Sequence, residues 1–143
     1  MGSFYVNTTM IFCRPSYNSF EFVVRAILGQ QISIKAATTL AARLVEKVNL
    51  MTDSNFPDGL AYFFPTPEEL LNVKLDGIGI SNSKQFTIHA VTEEIITKNL
   101  QLTANQSFEE FYQTFSAIKG IGDWTVNYVA MRGLGDERLL SSF

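Results

Sequence analysis

The chain has 143 residues, of which 46% are hydrophobic, 17% charged and 13% aromatic, and its net charge is −3. That is enough length and apolar content for one domain with its own core, and it excludes a disordered tail, a fibrous repeat and a pair of full-sized domains. No apolar run reaches the roughly 18 residues of a membrane span, and Met1 to Asn7 lacks a positive region followed by an apolar stretch, so a soluble, unexported chain with no membrane partner is expected. The single cysteine, Cys13, excludes an internal disulfide, a CxxC site and a four-thiolate iron–sulfur cluster built from this chain alone, and it reads as a reduced core thiol. An acidic balance gives no global attraction to nucleic acid, so such a partner would have to be recognised by local geometry.

Residues 1–17 read as an N-terminal arm and residues 18–143 as the folded domain. From Asn18, the residues Phe20, Val23, Val24, Ile27 and Leu28 recur at helical spacing, with Glu21 placed to complete a cap and Gly29 as a stop. After the short Gln30-Gln31-Ile32-Ser33 link, Ala37, Leu40, Ala41, Leu44, Val45 and Val48 repeat the period, and two helices joined so tightly must cross. Residues 49–65 lack a sustained period and read as a loop, with Leu60 to Phe64 as an apolar plug. Thr66-Pro67-Glu68-Glu69 combines a capping box with proline at the first helical position, and the helix carrying Leu70, Leu71 and Val73 stops before Gly77 and Gly79. A longer helix is predicted from Ser81 to Lys98, with Ile88, Val91 and Ile95 on one face and the solvated Glu93, Glu94 and Lys98 on the other. Ser107 and Glu110 cap a fifth, which carries Phe108, Phe111, Tyr112, Phe115 and Ile118, and a sixth runs from Gly122 to Gly133. Six capped helical patterns without an alternating strand predict an all-α fold, a compact bundle of about six helices.

Two segments echo each other: Leu75-Asp76-Gly77-Ile78-Gly79 and Ile118-Lys119-Gly120-Ile121-Gly122. In the second, glycines that permit left-handed dihedrals and close approach would let free amides of the turn and of the next helix face one external oxygen, which makes an anion site. A tight helix–helix connection with no ligand explains the glycines equally. Beyond the turn, Trp124, Thr125, Tyr128 and Met131 fall on a face distinct from the core stripe of Val126, Val129, Ala130 and Leu134, and two aromatics beside an anion site suit a flat ring. The only histidine, His89, has just Glu93 at helical spacing and reads as an ordinary imidazole, not a metal ligand.

The segments FEFVVRAILGQQISIKAATTLAARLV, FPTPEEL, LDGIGISNSK and IKGIGDWTVNYVAMRGLGD, in this order and spacing, resemble the alkylbase DNA glycosylases, the 3-methyladenine DNA glycosylase II type of the helix-hairpin-helix superfamily. The likeness runs from about Arg14 to the end. It implies base-excision repair: hydrolysis of the N-glycosidic bond of an alkylated purine flipped from double-stranded DNA, in the bacterial cytoplasm on the nucleoid or in a eukaryotic nucleus. By resemblance, main-chain amides of Gly120, Ile121 and Gly122 bind a backbone phosphate, with Thr125 on the next turn and Lys119 where many relatives have proline. The carbonyls of Ser116, Ile118 and Ile121 would hold a sodium or potassium ion, and no other cofactor is required. Gln30 and Gln31 match the segment that approaches the minor groove, with Gln31 filling the gap left by the flipped nucleotide. Trp124 and Tyr128 would wall the base pocket. Trp124 stands where bifunctional relatives carry a Schiff-base lysine, so the resemblance is to a monofunctional enzyme in which water attacks. The family's catalytic aspartate aligns with position 144, immediately after Phe143; Asp123 and Asp136, the nearest carboxylates, read as a helix cap and a loop residue, and residues 1–143 alone are expected to lack turnover. A non-catalytic helix-hairpin-helix module that binds DNA or protein is the alternative.

Overall fold

Helix α1, Asn18–Leu28, sits at the centre because five of its residues, Phe20, Val23, Val24, Ile27 and Leu28, turn inward at helical spacing and are each at most 2% exposed. The computed structural model describes residues 4–6, 9–12, 18–52, 61–103 and 106–134. Helix α2, Ile34–Thr52, crosses α1 and buries Ala41, Leu44, Val45 and Val48. It begins ahead of the predicted apolar stripe because the Ser33 hydroxyl accepts the Ala36 amide at 3.0 Å, and it continues past Val48 because the buried Asn49 places its side-chain NH2 on two carbonyls, its Oδ1 staying unpaired. The Asn49 side-chain amide donates to the carbonyls of Val45 and Phe63, at 2.7 and 2.8 Å.

The second of those bonds anchors a small sheet. Strands β1 (Phe4–Val6) and β2 (Thr9–Phe12) pair antiparallel, and β3 (Ala61–Phe63) adds parallel to β2, in the order β1-β2-β3. Strands of three or four residues carry too few positions to show alternation, so the predicted loop over 49–65 contains the end of α2 and β3. The sheet is an appendage to a helical domain, and the helical class read from the sequence holds. Phe64 does plug the core, 2% exposed and edge-on to Phe20; Leu60 and Cys13 lie outside the described residues.

The remaining helices start at their predicted caps. Thr66 and Glu69 form the reciprocal capping box of α3, Pro67–Leu71. Ser81 caps α4, Asn82–Ile96, by accepting the Lys84 amide, and Ser107 caps α5, Phe108–Ser116, by accepting that of Glu110. The sixth helix differs from expectation: α6 keeps α-helical bonding only over Asp123–Tyr128 and widens into a π-helical segment at Val129–Leu134. Val126, Val129 and Ala130 are buried, and both parts pack on α1; the Leu134 side chain lies outside the described residues. Among the described residues no helix is long and apolar enough to cross a membrane.

Thr66→Ala removes the side-chain half of the α3 capping box and leaves the residue 66 amide on Glu69, and urea unfolding is expected to show a loss of about 1 kcal/mol with an unchanged slope.

Candidate functional site

The two Gly-Ile-Gly turns share sequence but not backbone. At the first, both Gly77 and Gly79 take positive φ, 80° and 95°, and the helix that follows is sealed by the Ser81 hydroxyl. At the second, only Gly120 does, at 98°; Gly122 is extended, with φ −100°, and is itself the N-cap of α6, with no side chain closing the helix end. The positive pole of α6 is therefore the one left open to an external anion. Within the turn Ile121 is buried and its amide donates to the Ile118 carbonyl at 3.1 Å, so of the three amides expected to meet a phosphate, this one closes the turn.

Two other segments hold the turn in place. The Thr87 hydroxyl on α4 donates to the Lys119 carbonyl at 3.0 Å, and a Cβ added at Gly120 would lie 2.1 Å from that same oxygen. Gly120 is thus required twice, by its dihedral and by its neighbour. From the α1–α2 link, the Gln30 side-chain amide donates to the Gly120 carbonyl at 3.2 Å and to the Thr125 hydroxyl at 3.1 Å. Thr125, expected on the open face, is 3% exposed. The glutamine pair accordingly divides: Gln30 is an interhelical tie, while Gln31 is exposed and held in the left-handed region, with φ 62°. Lys84 on α4 fixes the link itself, its ammonium donating to the carbonyls of Leu28 and Gln30 at 2.8 and 2.7 Å, at the negative end of α1. Burial holds the Lys84 pKa below the ordinary lysine value.

Between the link and α6 lies a cleft of about 960 Å³. Its aromatic wall is a stack of three rings: Trp124 on Tyr128 with centroids 4.9 Å apart and planes 9° apart, then Tyr128 on Phe22 at 5.3 Å and 29°. Trp124 is 63% exposed, so one face of the stack remains free for a further ring. Met131 is exposed as expected. Sequence reasoning missed Phe22, although an aromatic two residues after Phe20 on a helix stands off the core stripe and is a readable signal. It also missed Lys84 and Thr87, whose residue types and spacing give none.

The local charge differs from the total. Residues 22–45, 77–92 and 111–122, which supply most of the cleft and its supports, contain no aspartate or glutamate. Arg25 lines the cleft but pairs with Glu21 at 3.5 Å. Asp123, at the start of α6, does not line it, and its carboxylate accepts a hydrogen bond from the Tyr112 hydroxyl, which raises the Tyr112 pKa. Asp136 lies outside the described residues. His89 bonds through Nε2 to the Val73 carbonyl at 3.0 Å, and among the described residues no group of His, Cys, Asp and Glu could hold a metal.

Two substitutions separate the roles of the turn glycines. Gly120→Ala is expected to cost at least ~1–3 kcal/mol in urea unfolding, whereas Gly122→Ala, which meets no atom within 4 Å and has an ordinary φ, should stay within ~0.5 kcal/mol. Lys84→Met deletes two part-buried hydrogen bonds to the Leu28 and Gln30 carbonyls, and a loss of about 1–3 kcal/mol is expected by the same measurement.

Residues 24–138 match the HhH-GPD superfamily of base excision DNA repair proteins. The chain is 36% identical over 116 residues to a Mycobacterium tuberculosis protein named "Probable bifunctional transcriptional activator/DNA repair enzyme AlkA", a span of 81% of this chain and 23% of that one. It is 32% identical over 119 residues to DNA-3-methyladenine glycosylase 2 of Escherichia coli, covering 81% and 41%. The crystal structure of a DNA-3-methyladenine glycosidase from Bacillus halodurans superposes with a TM-score of 0.65 at 29% identity, over 88% of this chain and 52% of that one. The chain thus spans between about a quarter and about half the length of these relatives. The match runs through the link, both glycine turns and α6, and the chain belongs to the HhH-GPD superfamily of base excision DNA repair proteins.

Proposed function

We propose that this domain is the DNA-gripping and base-recognising part of an alkylbase DNA glycosylase, a monofunctional hydrolase that breaks the N-glycosidic bond of an alkylated purine turned out of double-stranded DNA. The observation that carries the reading is the Trp124–Tyr128–Phe22 stack standing beside an uncapped helix start. Alkylation of a purine ring nitrogen leaves a flat cation, which an exposed indole face attracts more than it attracts the neutral base, by about 0.5–2 kcal/mol. The same positive charge weakens the bond to the sugar, so the base that binds best is also the best leaving group.

The hairpin supplies the grip. Amides of Gly120, Gly122 and the first turn of α6 would take one phosphate, with Lys119 adding a nearby charge and Thr125 held behind them by Gln30. Main-chain donors read no sequence, as suits a protein that must inspect any site. Gln31, exposed and left-handed at the tip of the link, would occupy the gap that the flipped nucleotide leaves. A sodium or potassium ion on the carbonyls of Ser116, Ile118 and Ile121 would stiffen the turn; the Ile118 oxygen, which accepts one amide, keeps a second lone pair for it. Because an indole at position 124 cannot form a Schiff base, water is the nucleophile and the strand stays intact.

Trp124 is the only tryptophan, so its fluorescence reports on the wall directly. Titration with 7-methylguanosine is expected to quench it about two- to thirtyfold more tightly than guanosine does. On duplex DNA carrying 7-methylguanine, the full-length protein is expected to release the base and leave an unbroken abasic strand. Equal quenching by the two nucleosides, or a borohydride-trapped adduct with strand cleavage, overturns this reading.

A further inference from the structure

Beyond the tip of the link the cleft gives way to a second groove of about 470 Å³, between α2 and the first glycine turn. The two depressions share Ile32 and Ser33, so the link is the ridge between them. Along the α2 side of the groove, Lys35, Thr39 and Arg43 stand at successive four-residue steps, about 6 Å apart along the helix. Opposite them the groove is floored at Gly79, where a Cβ would come within 3.1 Å of Arg43 Nη1.

The cations of α2 are not equivalent. Lys47, one turn beyond Arg43, is paired with Asp76 at 3.1 Å. Lys35 and Arg43 have no carboxylate partner among the described residues, although Glu46 follows Arg43 by three residues on the same helix. Arg43 is instead oriented by a carbonyl: Nη1 donates to Ile78 at 3.2 Å, which fixes the guanidinium at the groove edge with its other N–H groups unused. Two cations without an ion-pair partner, facing a glycine whose backbone carries no side chain, suit a run of phosphodiesters better than any apolar or cationic partner; the Thr39 hydroxyl between them is spent on the Lys35 carbonyl.

We propose that this groove binds the phosphate backbone of the DNA strand opposite the damaged base, so that the Gln31 ridge enters the duplex between two phosphate grips, the hairpin on the damaged strand and Lys35–Arg43 on its complement. This rests on the reading of the hairpin and link given above. It adds a property that the hairpin alone cannot supply, a demand for two strands.

The test is fluorescence anisotropy of the 143-residue chain on a duplex containing a tetrahydrofuran abasic analogue, and on its damaged strand alone, at 50 and 200 mM salt. For Lys35→Gln/Arg43→Gln the salt slope on the duplex is expected to fall by about 1.8, with affinity at 50 mM salt lower by about tenfold and single-strand binding unchanged. Lys35→Glu, at an exposed side chain with no partner among the described residues, should weaken duplex binding at least about threefold with an unaltered circular dichroism spectrum. Gly122→Val probes the hairpin separately and should weaken both DNAs. If the groove variants bind duplex like the parent while Gly122→Val loses it, the groove assignment fails and the hairpin reading stands. Equal losses on duplex and single strand also overturn the assignment, as a general charge effect. If the parent chain binds no duplex, or Gly122→Val binds as the parent does, the hairpin reading fails and takes the groove with it.

Discussion

Thr87 pressed against Gly120 is the contact on which the rest of the site depends. Helix α4 and the second glycine turn are distant in sequence, and only a residue without a Cβ lets the turn approach closely enough for the Thr87 hydroxyl to reach the Lys119 carbonyl. With the turn seated there, the Gly120 carbonyl meets Gln30, and the Gln30 carbonyl meets Lys84, which returns to α4. Hydrogen bonds of this kind contribute about 0.5–1.5 kcal/mol each, but as a closed circuit they fix relative positions in a way that apolar burial, being non-directional, does not. The aromatic stack and the open start of α6 inherit their spacing from this circuit.

A recurring turn illustrates how little a short motif says by itself. Gly77-Ile78-Gly79 and Gly120-Ile121-Gly122 are the same tripeptide, yet the residues after them divide their uses. Ser81 closes the helix after the first; Asp123 and Trp124 follow the second, offering no hydroxyl at the N-cap and presenting an indole beside it. The first turn then lies with bare backbone beside Arg43, and the second leaves the start of α6 without a side-chain cap.

Much of this was legible in the sequence. The helices are, because each carries a cap and an apolar face whose period is set by backbone geometry, and the aromatic character of the exposed side of α6 is too, with Trp124 and Tyr128 stacked along the cleft. The small sheet is not, since pairing between residues 9–12 and 61–63 is a long-range fact with no local period. Gln30 and Gln31 are identical residues whose fates are decided by what lies opposite: a carbonyl and a hydroxyl for one, solvent for the other. Thr125 followed the helical wheel onto the open side, but the wheel does not know that the α1–α2 link crosses there. The acid-free stretches are visible in the sequence, yet their meaning appears only when folding places them side by side.

Gln31 has a consequence for the thermodynamics of recognition. A side-chain-bearing residue held at φ 62° costs the free protein about 1–2 kcal/mol relative to a right-handed conformation. That cost is met once, in folding, by the Lys84 and Gln30 bonds on the preceding residues. Partner binding then need not freeze the tip of the link, and the ordering entropy that a floppy loop would surrender at every encounter is already spent. A tip whose backbone is set beforehand can engage and leave a partner without a fresh search for its own conformation.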